Sequence, residues 1–491
     1  MIPETYLTVR LNQRQLFLDD YGIASSDNLT KTMHQPEKKG AVIRTVDQFR
    51  TSAGPVVWDR DKKVWKCWTA ATEDMPSVVG YWESDDGLHW RDPVVGQVEY
   101  RGSKNNNFVS IDLGKDTGRF APGNVIYDTN DPDPGRRFKC ALPPHGFGVS
   151  PDGINWTPVH GYVKNEDSYA FSFDEQENLF ILSMREGKLT DRRVTLSTST
   201  DFENWTEPQL IFRADERDQE IGRETIERHN SDPTLQTPEF DVPETYNAQV
   251  YTMPIYRYES VYIGLPMMFF RSAQLPPDWE GFDSMNLDDH IRSRLSRTGD
   301  WTGVHVVQVT CSRDLKNWER VGDRKPFLSP SRLGSGAYDT QCVASSSQPV
   351  VRGDELWFYY MGMKCYAIVS EGRYGHRSGK DIGAGCLAVL RRDGFVSLDS
   401  LVGPGNVITI PFYAPAKASH LCVNANAPHG TLDIEILDGE GNIVARSETI
   451  SGNQPDKAVR WDDGNISDWV GREISLRFNL NKGSLYSYWL Q

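Results

Sequence analysis

The pattern Ser-x-Asp-x-x-x-Trp occurs four times, at residues 84–90, 150–156, 199–205 and 312–318, and a degenerate copy reads Leu-Arg-Arg-Asp-Gly-Phe-Val-Ser-Leu at 390–398. Such a repeat constrains the fold more than any bulk property, because every copy must fill an equivalent place in a repeated unit. The residue types are those of a hairpin turn. Asp accepts backbone N–H groups across the turn, Gly or Asn tolerates positive φ, and the Trp ring packs beneath the next unit. Two strand-like runs precede each copy: 55–58 and 64–68, 124–127 and 137–140, 169–173 and 179–182, 249–251 and 261–264, and 349–351 and 356–360. Two strands followed by a third and fourth joined at the Asp turn make a four-stranded antiparallel blade. Five such units predict an all-β chain, a five-bladed β-propeller over roughly residues 40–400. The repeated Asp and Trp residues are then turn and packing residues, not catalysts.

Composition agrees with many short strands. Aromatic residues make up 11% of the 491, and there are 41 Gly and 28 Pro. The net charge of −15 opposes wrapping nucleic acid or docking on an anionic membrane, and it suits a neutral substrate. No apolar run is long enough to span a bilayer, and residues 1–5 resemble no signal peptide, so the chain as written reads as cytoplasmic. A trimmed leader would make it secreted or periplasmic. Seven cysteines without a CxxC pair argue against a structural zinc site or a disulfide framework and read as buried small hydrophobes.

The spacing between the third and fourth turns is the longest. It contains excursions at 213–245 and 274–300, which read as a lid, a binding wall or an oligomer contact. After Pro404-Gly405 the texture changes to short alternating strands, so residues 1–403 are expected to form the propeller with an N-terminal extension, and 404–491 a β-sandwich ending in a buried strand at 485–490.

A five-bladed propeller with Ser-x-Asp-Gly-x-x-Trp turns and a C-terminal sandwich resembles glycoside hydrolases of families 32, 43 and 68, with families 32 and 43 nearest. The likeness spans nearly the whole chain, including Leu16-Phe17-Leu18-Asp19-Asp20-Tyr21 and His34-Gln35-Pro36-Glu37-Lys38. It implies a carbohydrate-active enzyme cleaving glycosidic bonds. The W-M-N-D-P-N-G run and the Glu-Cys pair of family 32 are absent, and Arg91-Asp92-Pro93 lies just past an outer turn, so fructan chemistry does not follow.

In a propeller the residues that open each innermost strand meet at the mouth of a central funnel. Glycosidic cleavage needs one carboxyl group to protonate the leaving oxygen and another to attack or to activate water. Asp47, Asp167 and Asp339 open strands in three different blades and are the expected catalytic carboxylates, with Glu224 and Glu227 of the first excursion as alternatives. Arg50, Asn106, Asn107, Arg185, Gln249, Gln341 and His376 are the expected sugar contacts. No metal or cofactor motif is present, although a calcium-type ion is compatible with the resemblance. Two further readings stay open: a glycoside phosphorylase using Arg223, Arg228, His229 and His376 for phosphate, and a carbohydrate-binding propeller without catalysis.

Overall fold

A computed structural model describes residues 6–44, 54–70, 77–114, 118–165, 168–188, 190–280, 282, 293, 300–345, 348–364 and 381–491. The described residues are mostly β-strand, with a 16-residue helix at Glu216–Ser231 and short 3-10 turns. No described helix is long and apolar enough to cross a membrane.

Strands Val56–Asp59, Val64–Ala70, Val79–Ser84 and Phe108–Val109 form the first antiparallel sheet. The second is Val125–Tyr127, Phe138–Ala141, Phe147–Ser150 and Thr157–Val159, and the third is Tyr169–Asp174, Leu179–Glu186, Arg193–Ser199 and Gln209–Arg213. Ile255–Tyr258, Val261–Gly264, Thr310–Ser312 and Glu319–Arg320 make the fourth. A three-stranded sheet of Asn247–Thr252, Met267–Leu275 and Asp300–Val307 adjoins it in the chain. In the fifth sheet Cys342–Ser345 and Val350–Arg352 both pair with Glu355–Met363, which pairs with Gly383–Arg391. The outer strand of that sheet is not 396–398, where the fifth turn would have placed it. It is Glu37–Ile43, brought from the N-terminal side of the chain.

The repeated turn is built as its residues demand. Ser84 Oγ accepts from the Gly87 N–H, Asp86 Oδ1 from the Leu88 and His89 N–H groups, and Trp90 Nε1 donates to the Gly87 carbonyl. The same bonds recur at Ser150–Trp156, Ser199–Trp205 and Ser312–Trp318. The fourth turn position has positive φ throughout, even where it is Phe202 (69°) or Leu315 (63°). The Trp rings lie on the preceding sheet rather than the next. Trp205 stacks on Phe147 of the second sheet at 4.9 Å, and Trp90 meets Tyr359 of the fifth edge-on.

These four aspartates are all held below the ordinary carboxylate range, Asp86 and Asp201 chiefly by hydrogen bonds from the turn, and Asp152 and Asp314 by such bonds outweighing burial. The sign follows. The unfolded chain takes up these protons first, so the stabilisation is complete above the ordinary value near 4 and is lost as the pH falls further. Urea midpoints measured from pH 5 down to pH 2 should decline, and Asp201→Asn should flatten part of that decline. An unchanged pH slope in the variant would count against this role.

A second repeat ties the sheets together. Asp59 and Asp174 end the inner strands of the first and third sheets and Asp128 immediately follows that of the second, and in each one carboxylate oxygen accepts from two N–H groups of the following turn. The other oxygen meets Lys66 Nζ at 2.7 Å, Lys139 Nζ at 2.9 Å and the Tyr262 hydroxyl at 2.7 Å, respectively. Lys66 also donates to the Asp152 carbonyl, and Trp68 Nε1 to that of Gly153, so the first sheet holds the turn of the second. Lys139 lies over Phe202 in the turn of the third, and Ile181 shares a core with Leu315 in the turn of the fourth. Tyr258 donates to Asp393 in the turn of the fifth, and Tyr359 donates to Gly87 in the turn of the first. The five contacts form a closed cycle.

The N-terminal strands Gln15–Leu16, Ile23–Asp27 and Thr30–Met33, together with Val396–Asp399, pair into the sheet network of residues 405–490. That network is organised by the 18-residue strand Leu421–Asp438. Its first half pairs with Ser484–Leu490 and its second half with Glu473–Asn481, around a core containing Val423, Ile434, Phe478 and Tyr488. The last strand is buried at every position from Leu485 to Leu490. Arg14 fastens this module to the fifth sheet, with its guanidinium 2.7 Å from Asp393 and 3.6 Å over Trp489.

Candidate active site

The three-stranded sheet has two unlike faces. Ala248, Val250, Met268, Phe270, Val304 and Val306 are buried in one core with Ile226 of the helix, and Gly222 lets that helix approach Phe270 so closely that a Cβ there would lie 2.9 Å from the ring. Alternation therefore turns Asn247, Gln249, Tyr251, Phe269, Arg271 and His305 to the other face. The register sets Gln249, Phe269 and His305 in one row and Asn247 beside Arg271 in the next.

Polar side chains converge on that face. Arg185, near the end of Leu179–Glu186, lies 4.7 Å over the Tyr251 ring, and Arg192 lies 5.3 Å over the same ring. His305 stacks on Phe269 at 4.4 Å. Burial, with the charge of Arg192, pushes its imidazole down to about 3, so it is neutral at physiological pH. Arg271 donates Nη2 to the Thr245 carbonyl and lies 5.1 Å over Trp301.

The start of the fifth sheet supplies the next wall, where Cys342 and Met363 pack with Met267 and Tyr251. Gln341 Nε2 donates to Glu239 Oε1 at 2.8 Å, and Gln341 Oε1 accepts from Gln236 at 3.1 Å. Glu239 is 8% exposed. Asp339, 2% exposed, accepts from the Tyr360 hydroxyl at 2.9 Å and pairs with Lys38 Nζ at 2.6 Å. Only glycine fits at position 362, because a Cβ there would come within 2.9 Å of the Asp339 Cβ.

Arg185 and Gln249 lie on the Tyr251 side of the three-stranded sheet, and Gln341 immediately precedes the adjoining strand Cys342–Ser345, with Asp339 two residues before it. Asp47, Arg50, Asp167 and His376 lie outside the described residues. Glu224 and Glu227 do not join the group. They project from the exposed side of the helix, whose inward side is Gly222, Thr225, Ile226 and His229. Of the phosphate candidates, Arg223 and Arg228 share that exposed side, and buried His229 bonds the Gln236 carbonyl through Nδ1. Asn106 and Asn107 do not open an inner strand either. They precede Phe108–Val109, the outer strand of the first sheet, and their amides bond the carbonyls of Val98, Ser103 and Tyr81. The inner strand of the second sheet begins at Val125 instead.

Glu239, Gln236, Arg192, Tyr251, Arg271 and His305 escaped the sequence reading. Gln236 and Glu239 sit within the first excursion, where nothing in the pattern marks which residue turns inward. Arg271 and His305 were legible in principle, as polar residues alternating with Met268, Phe270, Val304 and Val306. A cavity of about 370 Å³ runs along the inner strands, lined by Val56, Val125, Phe171 and Val350 and continuing past their C-terminal ends to Arg60, Thr129 and Glu175. The polar residues collect at the opposite, N-terminal ends. Among the described residues no group of His, Cys, Asp and Glu is arranged to hold a metal ion.

No protein-family model matches the chain, and no curated protein matches it. Similar solved structures include an N-acetylgalactosamine deacetylase from F. plautii at 14% identity, covering 75% of this chain and 97% of that one with a TM-score of 0.37. A GH32 β-fructofuranosidase of Bombyx mori is similar at 10% identity over 92% of this chain and 94% of its own, with a TM-score of 0.37. A glycoside hydrolase family 43 arabinoxylan arabinofuranohydrolase of Bacillus subtilis is similar at 9% identity over 92% and 99%, with a TM-score of 0.31.

Proposed function

We propose that the chain is a glycoside hydrolase that cleaves short oligosaccharides or chain ends, built on a five-bladed β-propeller with a C-terminal β-sandwich. The closed cycle of contacts between five sheets supports the propeller, with Glu37–Ile43 completing the fifth blade, and the two halves of Leu421–Asp438 pairing around one core support the sandwich. The observation that carries the functional reading is the Glu239–Gln341 pair, with Asp339 beside it, on a wall shared with Gln249, Tyr251 and Arg185. Two carboxylates, amides able to bond hydroxyl groups and aromatic faces are what glycosidic cleavage requires. Asp47 and Asp167 remain the carboxylates that the sequence reading offers as partners. Glu239 would serve as acid or base with one of them, and Asp339, held between Lys38 and Tyr360, would orient Gln341 and the sugar.

A screen of aryl glycosides and oligosaccharides tests this. Release of sugar from at least one class is expected. Tight binding across the panel without turnover would replace the hydrolase with a carbohydrate-binding propeller.

A further inference from the structure

We propose that the chain carries a second site, separate from the Glu239–Gln341 pocket, that binds a short neutral saccharide. It is a cavity of about 710 Å³ where three parts of the chain meet. The N-terminal segment from Tyr6 to Ile23 forms one wall, the turn end of the fourth sheet another, and Ile410 of the C-terminal module closes it. Its volume falls in the range of about 300–1,000 Å³ that suits a small organic ligand. Arg257 and Ser260 place it at the C-terminal end of Ile255–Tyr258, whereas Glu239 and Gln341 lie at the N-terminal ends of the inner strands.

The walls are fixed before any ligand arrives. Arg313 donates Nε and Nη2 to the two oxygens of Asp19, at 2.8 and 2.9 Å, and Nη1 to the Ser260 carbonyl. Asp19 is 5% exposed, so this clasp locks the N-terminal segment onto the fourth sheet. The lining charges are matched within the protein. Arg10 pairs with Glu177, Asp20 with Lys31, and Asp314 accepts from the N–H groups of its own turn. No lining cation is left over to call for an anionic ligand. Glu319 is the exception, a carboxylate with no hydrogen bond or ion pair among the described residues, and it opposes an anion. Across from it Tyr6 is held by its hydroxyl on Glu473 at 3.1 Å and by Tyr413 at 5.1 Å, yet its ring stays 39% exposed. A charged acceptor for hydroxyl groups and a fixed ring face for C–H groups are the two contacts a neutral sugar uses.

Isothermal titration with maltotriose, cellotriose, xylotriose and mannotriose tests the site, with trigalacturonate as the anionic control. At least one neutral trisaccharide should bind with a Kd of about 1 mM or tighter, and better than the control. Tyr6→Ala and Glu319→Ala should each weaken that binding about tenfold, the size of one hydrogen bond to a charged group. Gln341→Ala should leave it unchanged, because Gln341 belongs to the other pocket. Absence of binding across the neutral panel would overturn the site, and so would tighter binding of the anionic control. Binding that is lost in Gln341→Ala but kept in Tyr6→Ala and Glu319→Ala protein of unchanged melting temperature would assign all saccharide binding to the first pocket and overturn it as well. Binding is scored without turnover, so a chain that cleaves no glycoside loses the hydrolase reading and leaves this site standing.

Discussion

Lys66→Met is expected to destabilise the protein by about 3–5 kcal/mol. Its ammonium group is fully buried, 2.7 Å from an Asp59 carboxylate that is itself 3% exposed, and it also bonds the Asp152 carbonyl of the next sheet. Burial pulls the lysine below its ordinary range and the aspartate partner pulls it back up, while hydrogen bonds from Lys66 and the turn hold Asp59 below its own range. Removing the cation leaves a buried carboxylate with no countercharge and a carbonyl with no donor. The double variant Lys66→Met with Asp59→Asn should recover much of the loss, because the asparagine oxygen can still accept from the Asp61 and Lys62 N–H groups while the buried charge disappears. Urea denaturation of the three variants measures the coupling. A single variant within about 1 kcal/mol of wild type would show that the pair contributes little to joining the sheets.

That lysine also shows why part of this structure is invisible in the sequence. The Ser-x-Asp-x-x-x-Trp turns are local: every hydrogen bond in them joins residues within a few positions, so spacing alone locates them. The Asp59–Lys66 and Asp128–Lys139 pairs repeat as well, but Tyr262 takes the lysine's place in the Asp174 pair, so the pattern has no constant residue to find. Long-range pairing is less legible still. Alternation marks 37–43 and 396–399 as strands, yet nothing in either segment says that the first completes the fifth sheet while the second leaves it for the C-terminal module. The same limit governs the site. Gln341 is recognisable because it immediately precedes the strand Cys342–Ser345, and Gln249 because it lies in a strand-like run, although that run pairs with Met267–Leu275 and not, as the sequence suggests, with 261–264. Glu239 reaches Gln341 from an excursion whose course no periodicity encodes. Asn106 and Asn107 were misplaced for the converse reason, because the outer strand of the first sheet begins far from its turn and looks like the start of a new unit.

The largest effect on turnover is expected from Glu239→Gln. The amide is isosteric and can still accept from Gln341 through its oxygen, so the melting temperature should stay near wild type, while the group can no longer give or take a proton. Loss of a general acid or base lowers kcat by about two orders of magnitude or more, roughly 3 kcal/mol of transition-state stabilisation, on whichever glycoside the wild type cleaves. Asp339→Asn makes the informative contrast. Asp339 already accepts from the Tyr360 hydroxyl and pairs with Lys38, whose strand, Glu37–Ile43, is the outer strand of the fifth sheet. An amide there turns an ion pair into a weaker contact and should cost stability as well as rate. If Glu239→Gln keeps near-wild-type kcat while Asp339→Asn loses it without unfolding, the proton-transferring role belongs to Asp339, and Glu239 is a tie between the loop at 232–241 and the fifth sheet. Were both variants to stay active, the chemistry would have to rest on Asp47 and Asp167, the other two carboxylates expected from the sequence.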